Sequence, residues 1–456
     1  MIDFQTIAAI IFLIALTIFV FLMRKDMETK QIAPYFLYFS MYKTTWGLKL
    51  MDFFAKKHKR FIIYLGYLGI LVGFAGMILI SYGLINNIYV LFTKPEATPG
   101  VGLVLPFKAK GVFFVPFFYW IISIFVIAVV HEFAHGLIAR ANNLKVKSSG
   151  FAFLGSSFRG IGAVMVVLFL YNKMKSDGYI FGNSFNFFDY SSPYFWLMLG
   201  IVLLLISFFK NFIAPVIPAA FVEPDEKELK KRPHKEQLSV FAAGPFSNIA
   251  FAFLFIGIAS LVIAPIATAV IEANGVKVVD YVKGQQKFPA ENARIKIGEI
   301  IQKADNMPTP YVNNLSAILK NKKPDYVVAI QTDKAVYNIK LAKNPENQSL
   351  GYIGAYLEQD TKIKDNVKAA YGEFLPNALL WVYGLFVILF VLNFGIGLFN
   401  LVPLGPLDGG RMFHLVLQKF FDKEKANKVW FYVGMFFLVI VFINIAAGFG
   451  LFKFLF

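Results

Sequence analysis

Apolar runs close to the length of a membrane crossing alternate with short charged stretches along most of this chain. About 20 apolar residues are enough for a helix to cross the hydrocarbon of a bilayer. Such runs lie at residues 6–23, 61–84, 112–139, 151–171, 194–213, 240–271, 375–401 and 429–447, and they predict eight spanning helices. The pair 151–171 and 194–213 is the least regular. Arg159, Gly160 and Gly162 interrupt its first member, and residues 146–154 read as a strand-like start. A re-entrant pair would lower the count to seven or six. Residues 274–357 follow another rhythm: charge rises, apolar runs shorten, strands are predicted at 276–282, 326–332 and 336–341, and a helix at 313–319. The expected fold is an α-helical polytopic membrane protein, with about six to eight transmembrane helices and a small inserted α+β domain.

Composition agrees. Of 456 residues, 57% are hydrophobic and 16% charged, and mean hydropathy is +0.61. A soluble domain does not have this balance. The formal net charge of +17 and the 53 phenylalanines then take on a membrane meaning. Lys and Arg gather in the short stretches 24–60, 140–147, 224–239 and 411–428, which places all of these on the cytoplasmic side. Such loops suit anionic lipid and exclude nucleic acid as the expected partner. Parity puts the inserted domain outside the cell membrane. The first run has no basic flank ahead of it and is followed by Arg24 and Lys25, so it is expected to remain as an anchor. The Pro- and Gly-rich residues 86–111 are expected to form an external loop, with a short hairpin resting on the membrane. Cysteine is absent, which rules out disulfides and thiol chemistry.

Chemistry enters with His131-Glu132-Phe133-Ala134-His135, inside the third run. Two histidines four apart share one helix face, where one tetrahedral zinc ion can take both rings, with Glu132 beside them as proton carrier. Ionisable groups inside an apolar span are costly and point to function. A catalytic zinc usually takes a third protein ligand and a water. Asp408 is the best candidate, because Pro403, Gly405, Pro406, Gly409 and Gly410 break the helix around it at the same inner membrane depth. His414 is a rival third ligand, whereas His58 and His234 sit in charged loops. Two amides, Asn248 and Asn400, lie at similar depth and could hold a substrate strand or a developing oxyanion. Asn248 belongs to Ala243-Gly244-Pro245-Phe246-Ser247-Asn248, where Gly and Pro also suit a helix-packing notch.

The combination of HEFAH in one span, GPFSN in a later one and NLVPLGPLDGG in the penultimate one resembles the site-2 protease family of intramembrane zinc metalloproteases, peptidase M50-like. The resemblance implies cleavage of a transmembrane segment of another membrane protein, for regulated release or for clearance of a signal-peptide remnant. It assigns His131, His135 and Asp408 as zinc ligands and Glu132 as base. Residues 288–301, from Phe288 to Ile301, resemble the core signature of a bacterial-type PDZ domain, with Arg294 where glycine is usual. That resemblance implies a groove for a peptide end. The expected divisions are 1–111 (first helices and basic loop), 112–272 (first part of the catalytic core), 273–357 (PDZ-like domain) and 358–456 (the aspartate helix and the last helix). Alternatives are a prenyl-protein-type membrane zinc protease, a zinc transporter and a catalytically silent scaffold. A strand edge near 146–154 is expected to help unwind the substrate helix.

Overall fold

The computed structural model describes residues 4–33, 37–94, 97–106, 111–176, 193–209, 213–282, 288–345 and 347–449. The stretch 177–192 between two of the expected spans, and parts of the 86–111 loop, lie outside these residues. Helices form where the apolar runs stand: α1 (Phe4–Met23), α3 (Lys59–Thr93), α4 (Phe117–Ala141), α5 (Phe158–Ser176), α6 (Pro193–Phe209), α8 (His234–Ile258), α13 (Phe374–Phe399) and α15 (Lys423–Gly448). Short helices fall between them: α2 (Trp46–Lys57), α7 (Glu226–Leu229) and α14 (Asp408–Phe420). A π turn at Ala259–Ile263 continues α8 into α9 (Ala264–Val270). Among the described residues, five helical stretches are long and apolar enough to cross a membrane: α3, α4, α8 to α9, α13 and α15. The apolar parts of α1, α5 and α6 described here are shorter. This is a multi-pass membrane protein.

The chain forms two compact units, Met1–Ile256 with Leu385–Phe456, and Gly257–Gly384. In the first, the basic stretch 24–60 is not an open loop. It folds into β1 (Met27–Ala33), β2 (Leu37–Thr44) and α2. After β3 (Leu103–Leu105) and β4 (Val112–Phe114), which pair in parallel, come β5 (Val146–Ser157) and β6 (Ile213–Pro224). Strands β1-β2-β5-β6 make one antiparallel sheet. Three expected boundaries move as a result. The 112–139 run starts as a strand, and its helix begins at Phe117. The first half of the 151–171 run is strand, and its helix begins at Phe158. The charged residues 224–239 hold α7 and the first turns of α8. The expected strand at 146–154 is present, but as an interior strand between β2 and β6. The edge is β6.

Lipid on the outside of a bundle removes the hydrophobic gain of helix association, so close contact must hold it. Helix α3 supplies that contact through a stripe of buried glycines. Gly66 lies against Ile138 and Ser239, Gly69 against Phe246, Gly73 against Met412, and Gly76 against Leu401. One helix thereby packs on α4, α8, α14 and the turn before α14. At the end of α4, the buried Ile138, Ala139 and Leu144 pack with Ala55 of α2, Ile62 of α3, Val146 of β5, Leu229 of α7 and Val240 of α8. This cluster fixes α4 to α8.

The second unit has a core that water can stabilise. Its sheet has the order β11-β10-β8-β7-β14, from β7 (Ile271–Tyr281), β8 (Ile300–Ala304), β10 (Val327–Thr332), β11 (Val336–Lys340) and β14 (Ala355–Ile363), with β9 (Met307–Pro308) paired to β8. Small elements complete it: α10 (Pro289–Asn292), α11 (Val312–Lys320), β12 (Ala342–Lys343), β13 (Gly351–Tyr352) and α12 (Asp365–Tyr371). Val276, Ile295, Ile301, Leu315, Val328, Ile330 and Ile339 are buried together, each such aliphatic side chain contributing about 1.5–3 kcal/mol. Arg294 has φ of +60°, the left-handed region that glycine enters most easily.

Candidate metal centre and active site

The histidine pair stands in the last turns of α4. His131 Nε2 and His135 Nε2 are 3.1 Å apart. Asp408 Oδ2 lies 3.1 Å from the first and 3.4 Å from the second. These three atoms form a group able to hold a metal ion. A tetrahedral ion with bonds of about 2.0–2.1 Å needs donor atoms about 3.3 Å apart, and the observed triangle has that size.

The second nitrogens of the rings show why the donors point inward. His135 Nδ1 is 2.6 Å from the carbonyl of Val240. A carbonyl only accepts, so Nδ1 carries the proton and Nε2 presents a lone pair. Pro245, inside α8, has no N–H for the carbonyl of Phe241; the carbonyl that meets the His135 ring is that of the neighbouring Val240. On the other ring, His131 Nδ1 is 3.1 Å from the Asn248 side-chain amide. Asn248 is fully buried, and its Oδ1 has no partner among the described residues.

Asp408 reaches the site because the chain breaks before it. The helix α13 ends at Phe399, a tight turn follows, and α14 begins on Asp408 itself. Gly409 donates its N–H to the Asn400 carbonyl at 2.8 Å. A side chain at Gly409 or Gly410 would strike the backbone of Leu401 or Leu404. The glycine pair therefore lets the first turn of α14 press onto the preceding turn and sets the direction of the carboxylate. Gly244 does a similar job from α8. A Cβ there would sit 2.5 Å from His131 Cε1 and Nε2, and nearer still to His135 Nε2.

Glu132 leaves the same turn of α4 towards the sheet. Its Oε2 accepts the backbone N–H of Val222 at 3.1 Å. That bond identifies the outer face of β6. Val222 points its N–H away from β5, so Ala220, Pro218 and Pro224 share that register. Prolines there remove no ladder bond, as suits an edge strand. The edge of the sheet thus runs past the glutamate.

The two histidines, Glu132 and Asp408 open on a cavity of about 1140 Å³, whose lining also includes Val222, Asn400, Arg411 and His414. Lys147, Glu223, Lys227 and Lys230 bring charge to it. Three further residues weighed in the sequence take these places. Asn248 lies behind the His131 ring. His414 lines the cavity but stacks on Trp430, with ring centroids 4.9 Å apart, and Nε2 bonds Asn427 at 2.8 Å, so it is outside the ligand triangle. His234 also lines the cavity. The contributions of Gly244, the Val222 N–H and the Val240 carbonyl escaped the motif reading. A Gly-Pro pair in the middle of an apolar helix was the available signal for the first.

The sequence profile of peptidase family M50 matches residues 197–441, more than half of the chain. This chain belongs to peptidase family M50. The matched interval contains Asn248, Asn400 and Asp408 and begins after His131 and His135; the 3.1 Å approach of His131 to Asp408 joins the two parts. No curated protein matches the chain. Family membership makes it a membrane metallopeptidase.

Proposed function

We propose that this M50 peptidase is a zinc-dependent intramembrane endopeptidase that hydrolyses a peptide bond in or near a transmembrane segment of another membrane protein. The observation that carries the reading is the donor triangle of His131, His135 and Asp408, with Glu132 on the same turn. One Zn²⁺ fits that donor set, and Lewis acidity at the scissile carbonyl and the attacking water is what it supplies. Glu132 takes the proton of the attacking water and returns it to the leaving amide nitrogen. His135 is held in its ligating tautomer by the Val240 carbonyl. With His131 Nε2 as ligand, Nδ1 bears the proton, and the Asn248 side-chain amide, whose Nδ2 stands 3.1 Å from Nδ1, accepts it through its oxygen once the amide is turned by a half rotation. Asn248 is thus a positioning residue for the ring. Asn400, which lines the cavity, is left as the amide for the developing oxyanion.

A spanning helix hides its peptide bonds in its own hydrogen bonds, so the substrate must unwind locally. The edge of β6 offers an extended segment backbone partners next to Glu132. The Lys/Arg-rich stretches support a cytoplasmic position for the cavity, which gives it water. The Gly257–Gly384 unit is proposed as a PDZ-like module on the outer side, taking a peptide terminus. Membrane lipids complete the set of partners.

Comparing membrane proteomes of cells that carry the native protein or Glu132→Gln tests the reading. Intact single-span or signal-bearing substrates should accumulate with Glu132→Gln while its metal content stays native. An unchanged proteome would speak for the silent scaffold instead.

A further inference from the structure

A second cavity, of about 520 Å³, lies where α2 meets α3 and the end of α4. It shares no lining residue with the catalytic one. Four cations line it, Lys56, Lys59, Arg140 and Lys145, against two acids, Asp52 and Glu228. Both acids are already engaged. Asp52 pairs with Arg140 at 3.2 Å, and Glu228 with Arg232 at 2.7 Å; the backbone N–H of Lys145 also reaches Glu228. Lys59 donates to a neutral partner, Asn143 Oδ1, at 2.9 Å. Among the described residues, no carboxylate pairs with the amines of Lys56, Lys59 or Lys145. Three uncompensated positive charges therefore converge on one cavity.

The surroundings say what anion fits. Helix α2 has 12 residues, about 18 Å, too short to cross a bilayer. Its inner face buries Met51 and Ala55, while Leu50, Phe53 and Phe54 are exposed on the other side. Lys57 sits over the Phe53 ring, a long side chain keeping its charge at the edge of an apolar surface. The first turns of α3 continue that surface with exposed Phe61, Tyr64 and Leu68. A short helix with an outward aromatic face, followed at once by a spanning helix, suits the plane of the membrane interface. We propose that the cavity, cationic inside and apolar beside it, stands at headgroup depth and binds the phosphate of one anionic phospholipid, whose acyl chains lie along Phe53, Phe54 and Phe61. Basic pockets beside spanning helices suit such headgroups.

The test uses the full chain in detergent, titrated separately with phosphatidylglycerol and phosphatidylcholine, with bound lipid counted by native mass spectrometry. One phosphatidylglycerol should bind in preference to phosphatidylcholine and should resist excess inorganic phosphate. Combined Lys56→Gln, Lys59→Gln and Lys145→Gln should weaken it about fivefold per lysine. Combined Lys25→Gln, Lys30→Gln and Lys49→Gln removes equal charge outside the cavity and should leave it unchanged. Should the cavity triple fail to fold, Lys145→Gln alone, which keeps its backbone contact, should give the fivefold loss. Equal loss in both triples, no preference between the lipids, displacement by inorganic phosphate, or competition by an acidic peptide would each overturn the proposal.

Discussion

Replacing Gly244 by alanine should empty the metal centre while leaving its helix intact. The added Cβ would sit 2.5 Å from His131 Cε1 and Nε2 and press on His135 Nε2 as well. Unstrained carbon contacts begin near about 3.5 Å, so α4 and α8 must part, or both rings turn, by about 1 Å. Metal sites keep ligand distances within about 0.2 Å. Loss of an outer support alone typically costs about 10–100-fold in metal affinity; displacing two ligands at once should cost at least about 100-fold, and activity with it. Backbone propensity works the other way, since alanine is favoured over glycine in a helix by about 1 kcal/mol. Metal content, helicity and cleavage of a reconstituted transmembrane substrate should be measured on the same preparation. The expected result is native helicity with little zinc and no cleavage. A variant with full zinc and full activity would refute the packing of Gly244 on the two rings.

Other outcomes follow from the same geometry. Asn248→Ala should lower zinc affinity about 10–100-fold, and excess zinc should restore much of the cleavage, as expected for a ring-positioning residue. Val222→Pro removes the N–H that Glu132 accepts; zinc binding should persist while turnover falls, and equal loss of both would point to general disruption. Helix-strengthening substitutions around the cut in a model substrate should slow its hydrolysis, and unchanged rates would count against unwinding onto β6. In the second unit, burial raises the Asp305 carboxyl, but the Ala329 N–H, Lys322 and the Tyr326 hydroxyl together hold it below its ordinary value. A lowered folded-state value gives stability that is present above the unfolded pKa and lost as pH falls through the folded one. Hydrogen exchange of β8 and β10 should therefore show Asp305→Asn destabilising at neutral pH and nearly neutral in strong acid.

The chemistry was more legible than the scaffold. Two histidines four apart declare a shared helix face whatever surrounds them, and the proline and glycine residues around Asp408 declare a broken helix. The sheet was hidden for a different reason. Its strands come from 27–44, 146–157 and 213–224, and their pairing is set by contacts far apart in sequence. The lysines of 24–60 gave a topological signal that masked the hairpin and α2 within it. In β5, an apolar and small-residue stretch running straight into α5 looked like one long span, because a buried strand and a buried helix share the same composition. Asn248 was placed at the right depth, but a side-chain amide serves a ring or a substrate equally well until the ring is seen.

Metal stoichiometry of the purified, active protein, measured beside that of Asp408→Ala, tests the central claim most directly. The donor triangle predicts one zinc per chain in the native protein, and none retained in the variant under the same wash. An active preparation without zinc, or an Asp408→Ala protein that keeps both its ion and its activity, would contradict it.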